Sequence, residues 1–404
     1  MKFKVGNWLE GKLGRRRTHS MRPEENLTDL PWLPSTRPYA LTPSSSKEVL
    51  TTGSPIFEKL PRELRYQILV LAFGDAIVHM DLSFVHPTAA LAPGSRPIIN
   101  HAGIDSVGHS IPPVVNWDLS VPKSWQWWGS VCHRVMPHHR RFSSDRYKEV
   151  PEPGDDYCRL GAQHRCELWP GEYPLKCHIG IMGWLLSCRQ AYTEGIHILY
   201  TTNTIHISGH TLVTHLPQLL LSQRLCDITS LEIVWPLKLR QGPRSSAIPE
   251  EEPLESILTI LSDNFPNLTR LHLALKTNER EFRRVDFQGI FRPVDAFVRR
   301  SRPGLHQFTI SPSRSVFTPF YEALREELRA KLGVHQISRL PYEVWRNLSG
   351  SFVLSQIIPG KGIMSSPYPQ PPTPTPGVET VGDGYWILAG NVDDELPQRY
   401  CTLY

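Results

Sequence analysis

Residues 181–207 read IMGWLLSCRQAYTEGIHILYTTNTIHI, and the change of period within them decides the fold class. Ile181, Trp184, Leu185, Cys188, Tyr192, Ile196 and Leu199 recur at steps of three and four, the spacing of one helix face. Arg189, Gln190, Thr193 and Glu194 fall largely elsewhere on that wheel. Thr204, His206 and Ser208 then alternate with Ile205 and Ile207, as in a half-buried strand. Asn203 suits the turn between the two.

A matching unit lies upstream in Phe57–Phe73, FEKLPRELRYQILVLAF. Pro61 fits the first position of a helix, where a missing N–H costs nothing. Leu64, Ile68 and Leu71 share one face, and Gly74 is placed to end the helix in a left-handed cap. Ala76–Leu82 then reads as a strand, expected to pair with Thr204–Ser208 because each follows a main helix. The apolar helix face has two uses: burial against Trp184, Cys188 and Tyr192, or docking of a partner.

Downstream of residue 211 the reading is α/β. Strands are predicted at Ile228–Trp235, Leu268–Leu275 and Leu305–Ile310. Helices are predicted at Thr211–Gln223, Pro253–Asn264, Pro293–Arg300 and Thr318–Leu332. In the second of these, Leu254, Ile257, Leu258 and Leu261 fill the i, i+3, i+4, i+7 template. Thr318 fits as an N-cap, with Pro319 at the first position of the last helix. Alternating strands and helices favour parallel pairing through right-handed crossovers. The strands recur at roughly 40 residues, longer than a leucine-rich repeat of ~20–29. An open, leucine-rich-repeat-like α/β layer is expected, with helices on one side and the other side left for a partner.

The 404 residues include 37 prolines against 40% hydrophobic residues, which implies a globular body with disordered flanks. Residues 1–53 read as a disordered basic tail. Residues 54–350 form the folded domain, with an irregular insertion at about 84–178. Residues 351–404 read as a Pro-rich linker and tail, with a late strand in GYWILAGNV. Residues 1–20 carry six Lys and Arg against Glu10 alone, which accounts for the whole net charge of +5. The remainder is therefore near neutral, and Arg15–Arg17 belong to the tail. No apolar run approaches the ~18 residues that span a membrane, and no secretory h-region is present. The expected compartment is cytoplasmic or nuclear, with reduced thiols and a monomeric chain.

Chemistry-bearing clusters are few. Cys132, His133, Cys158, His164, Cys166, Cys177 and His178 lie in the insertion, but no Cys-x-x-Cys knuckle organises them for zinc. Trp125, Trp127 and Trp128 precede Arg134, Arg140, Arg141, Arg146 and Lys148, an aromatic–basic order that can stack single strands. The near-neutral body argues against that use. No Gly-x-Ser-x-Gly, phosphate loop, Gly-x-Gly-x-x-Gly or His-Glu-x-x-His is present, so no enzyme activity and no cofactor are expected. Arg189 and Glu194 read as a polar network holding the upstream helix and strand.

The pattern Leu60-Pro61-x-Glu63-Leu64-x-x-x-Ile68 resembles the opening of an F-box, the helical module that docks the adaptor of cullin-type ubiquitin ligases. Together with LLSCRQAYTEGIHILYTTNTIHI it is similar to a fungal group of F-box-like proteins sharing a domain of unknown function, over roughly residues 55–330. The resemblance implies an F-box-like helical head on the α/β layer. It also implies that Leu60, Pro61, Leu64 and Ile68 face the adaptor while the body or insertion holds a target. This sequence departs from an ordinary F-box, because the second helix arrives only at Ile181. The expectation is a non-enzymatic protein-interaction module that recruits substrates to such a ligase. The alternatives are a scaffold with a vestigial head and, third, a zinc-stabilised nucleic-acid binder.

Overall fold

The computed structural model describes residues 29–34, 54–90, 98–99, 105–107, 114–134, 153, 169, 171–172, 175–241, 246–277, 284–301, 304–332, 343–354 and 383–390. The head consists of α1 (Pro55–Lys59) and α2 (Arg62–Phe73). It leads into β1 (Ile77–His79), and β2 (Asp81–Val85) turns away to pair antiparallel with β3 (Ser124–Trp128). The helix expected over 181–199 is two helices, α3 (Met182–Leu185) and α4 (Arg189–Thr201). Cys188 breaks them apart: its backbone is extended, and its sulfur accepts the Ala191 N–H at 3.4 Å as an N-cap.

The rest alternates strand and helix, but the helix expected over Thr211–Gln223 is two, split at Leu220 and Leu221, and the one expected at Pro293–Arg300 begins at Gln288 with Pro293 inside it. In order come β4 (Thr204–Ser208), α5 (His210–Leu219), α6 (Ser222–Asp227), β5 (Ser230–Pro236) and α7 (Glu251–Asn264). There follow β6 (Arg270–Lys276), α8 (Gln288–Ser301), β7 (Gln307–Pro312) and α9 (Arg314–Leu332). Pro319 lies inside α9, which begins four residues before the expected cap at Thr318. The chain closes with β8 (Glu343–Asn347), β9 (Phe352–Leu354) and β10 (Gly384–Leu388).

The main sheet has eight strands in the order β1-β4-β5-β6-β7-β10-β8-β9. From β1 to β10 every pair is parallel, and β8 runs antiparallel between β10 and β9. The expected pairing of β1 with β4 holds, with Ile77 opposite Thr204 and His79 opposite His206. The predicted boundary at 350 is crossed, because β9 and β10 belong to this sheet. Residues 29–34 are likewise not free of the body. Leu30 is buried in the main core, and the Leu33 N–H donates to the Gln218 carbonyl at 3.0 Å. That carbonyl lies in the last turn of α5, where no intrahelical donor is left.

One face of the sheet carries the core. Ile205, Ile207, Leu231, Ile233, Leu271, Leu273, Phe308 and Ile310 join the apolar stripes of α5, α7, α8 and α9. All four template positions of α7 are buried. The opposite face, expected to stay open, is closed: Thr204, His206, Ser230, Glu232, His272, Thr309 and Ser311 are all buried. The end of the insertion extends the sheet at its β1 edge and then brings the Arg134 side chain onto Glu232 of this face. Residues 130–132 run antiparallel beside β1, with the His79 N–H donating to Ser130 at 2.8 Å and the Cys132 N–H to Ile77 at 2.8 Å.

Gly74 does not form the predicted left-handed cap. Its φ is −103°, and the positive φ belongs to Asp75 at 54°. Gly74 serves close approach instead, since a Cβ there would sit 2.6 Å from the Thr202 hydroxyl. The basic tail with Arg15–Arg17 and the proline run Tyr368–Pro376 lie outside the described residues. Among the described residues no helix is long and apolar enough to cross a membrane.

Candidate protein-docking site

α2 meets the body through Arg65 and Leu69, its two buried residues, and through Phe73, which packs with Ile181, Leu185 and Ile196. The Arg65 guanidinium donates to both Glu194 oxygens, at 3.0 and 2.7 Å, and to the Leu60 carbonyl at 2.6 Å. It therefore ties the end of α1, the start of α2 and the middle of α4 with one side chain. Burial works to raise the Glu194 pKa, but the bonds from Arg65 and Gln190 outweigh it and hold the carboxyl below its ordinary value. Arg189, expected beside Glu194, is exposed and takes no part.

Two further features fix the head. Asn203 is fully buried and completes three backbone groups. It donates to the Phe73 carbonyl at 2.8 Å and the Leu199 carbonyl at 3.0 Å, and accepts the Ala76 N–H at 2.9 Å. These sit at the ends of α2 and α4 and the approach to β1, where helix carbonyls lack partners. Gly195 lets α3 lie against α4: a Cβ there would approach Trp184 Cδ1 to 2.6 Å. Trp184 in turn meets Phe57 of α1, ring centroids 5.6 Å apart.

With Arg65 and Leu69 turned inward, the stripe Leu64, Ile68, Leu71 turns outward. These residues are 46%, 51% and 88% exposed, so they do not bury against Trp184, Cys188 and Tyr192. Pro61 is exposed too, while Leu60 is half-buried. Of the four residues singled out for docking, Leu64 and Ile68 lie open on α2, and Pro61 lies open at its N-cap, one residue before the first helical position expected for it. Ile56 of α1, in the head, and Met182 and Leu186 at α3, in the body, are further exposed apolar side chains.

Cys158, His164, Cys166, Arg140, Arg141, Arg146 and Lys148 lie outside the described residues. Cys132 and Cys177 are buried, His133 stacks on Trp169 at 4.3 Å, and His178 is exposed. Among the described residues no group of three His, Cys, Asp or Glu could hold a metal ion. Trp125 packs on Phe84 and Trp128 on His79, which leaves Trp127 as the exposed indole of the three. Arg134 is buried against the sheet.

That arginine reveals a constellation the sequence reading missed. In register across the sheet stand His79, His206, Glu232, His272, Thr309, Trp386 and Trp345, one from each neighbouring strand. Arg134 Nη2 donates to both Glu232 oxygens, at 2.8 and 2.7 Å. His206 Nδ1 lies 3.1 Å from Glu232 Oε2, and His272 Nε2 lies 2.9 Å from the Ser311 hydroxyl. Burial would raise the Glu232 pKa, yet Arg134 and His206 hold it well below the carboxylate range. Burial lowers His272 to about 4, with Glu232 opposing. The signal was present in the triplets Ile-His-Ile, Leu-Glu-Ile and Leu-His-Leu, which place one polar residue mid-strand three times over.

A family model described as Domain of unknown function (DUF7730) matches residues 129–300. No curated protein and no solved structure matches the chain. The matched stretch begins where the insertion returns along β1 and ends with α8, so it holds Arg134, Glu194, Asn203, His206, Glu232 and His272 and leaves out α1 and α2. Over residues 129–300 the chain therefore carries the pattern of this domain of unknown function.

Proposed function

We propose that the chain is a non-enzymatic protein-interaction module in which α1 and α2 form an F-box-like docking head on the α/β body. The observation that carries the reading is the outward stripe of Pro61, Leu64 and Ile68 on a helix anchored by its opposite edge. Leu64, Ile68 and Leu71 follow the i, i+4, i+7 anchors of a helix that lies in a partner's groove. Exposing such residues costs solubility, and a contiguous apolar stripe on a charged helix is the usual mark of an interface. The partner suggested by the F-box resemblance is a cullin-type ubiquitin-ligase adaptor, which makes the body the part that recruits a target.

The test is pull-down of a purified cullin adaptor by the native chain and by a Pro61→Ala, Leu64→Asp double variant, with circular dichroism to verify that the variant folds. Capture by the native chain and loss by the folded variant is the expected result. No capture by the native chain would remove the ligase reading and leave a scaffold with a vestigial head.

A further inference from the structure

The inner edge of α2 borders a second feature, which does not depend on how the outer stripe is read. Between α2, α4 and α6 lies an open groove of about 410 Å³, within the size range of ligand-binding clefts. Its floor is apolar, built from the buried Leu69, Ile196 and Ile198, with Tyr66 and Thr193 among the residues lining it. The charges around it are unevenly matched. The Glu194 carboxylate is engaged by Arg65 and Gln190. The Asp227 carboxylate accepts from Arg224 at 2.8 Å and stands 3.6 Å from His197 Nδ1. Arg62, in contrast, is exposed and lines the groove with no ion pair within contact distance among the described residues, its charge acting on Glu194 only at longer range.

We propose that this groove receives a peptide segment of a partner protein bearing a bulky apolar side chain next to a carboxylate. The apolar side chain would occupy the floor over Leu69, Ile196 and Ile198, where burying it releases water from apolar surface on both partners. The carboxylate would face Arg62, and a guanidinium suits it because its planar donors match the two oxygens. An acidic ligand is favoured over a basic one because both acidic groups of the lining are already paired. The groove and the outer stripe lie on different edges of α2, so the two sites can be separated by substitution.

The test pans a phage library of random linear peptides on the full chain, then measures binding of a fluorescein-labelled synthetic copy of an enriched peptide by anisotropy. Enriched sequences should pair an aromatic or branched aliphatic residue with Asp or Glu. Thr193 and Arg62 are exposed, so Thr193→Trp, which fills the groove, and Arg62→Gln, which removes the cation without setting a like charge beside Glu194, leave the core intact. Each should weaken the peptide by about tenfold or more, equivalent to ~1.4 kcal/mol, while Ile68→Asp on the outer stripe leaves it unchanged. The proposal is overturned if no peptide is enriched, if binding survives both groove substitutions, or if it is lost only with Ile68→Asp.

Discussion

Glu232 keeps its charge inside a closed sheet because one nitrogen of Arg134 sits between both of its oxygens. Beside it, His272 stays neutral at neutral pH, its pKa lowered to about 4 from an ordinary 6.5 chiefly by burial. The unfolded chain therefore takes up this proton first as pH falls. Stability from this group is whole above pH 6.5, drains away between 6.5 and 4, and loses nothing further below that. The loss across that window should be about 3 kcal/mol by urea unfolding, and His272→Gln should flatten it. A curve equally steep in the variant would assign the proton uptake to another group. Gly195 makes a second prediction at this scale. Gly195→Ala drives a methyl into Trp184 and should cost about 2 kcal/mol, despite the better helix propensity of alanine. The Gly in TEGIHILY gave no hint of this, because close approach between α3 and α4 is invisible until the helix is broken at Cys188.

At the scale of the element, α2 shows why its period was legible and its orientation was not. Leu64, Ile68 and Leu71 mark an amphipathic helix, and such a stripe normally faces the core. Here Arg65 faces in, because Glu194 waits across the gap 129 residues further along the chain. A pairing at that separation leaves no trace in a local pattern. The same holds for the C-cap: Asn203 reads as a turn residue, and only the fold brings the last carbonyls of two helices to its amide. If Arg65 is the main polar anchor of the head, Glu194→Gln should speed hydrogen exchange across 62–73 while exchange in β5 and β6 stays slow. Uniform acceleration would mean that the head and the sheet open as one unit.

For the whole molecule, the parallel succession of strands was readable because each apolar run is separated from the next by helical sequence. The order at the far edge was not. β10 enters between β7 and β8 from the end of the chain, and nothing local in GYWILAGNV specifies those neighbours. A buried cluster secures it. Asp295 of α8 accepts from Arg346 at 3.0 and 2.7 Å and from the Tyr385 hydroxyl at 2.9 Å, while the guanidinium lies 4.2 Å above the Phe291 ring. Asp295→Ala strands a buried cation and should cost about 3 kcal/mol in chemical denaturation. A cost below ~1 kcal/mol would show that strand pairing alone holds the edge.

The proposed docking role rests on the exposed stripe of α2, and a single comparison tests it directly. Hydrogen exchange of the full chain would be followed by mass spectrometry with and without a purified cullin adaptor. Slowed exchange confined to 55–73 on addition of the adaptor, with the sheet unchanged, is the expected result. No slowing in those helices, or slowing only elsewhere on the chain, would contradict the docking role of Pro61, Leu64 and Ile68.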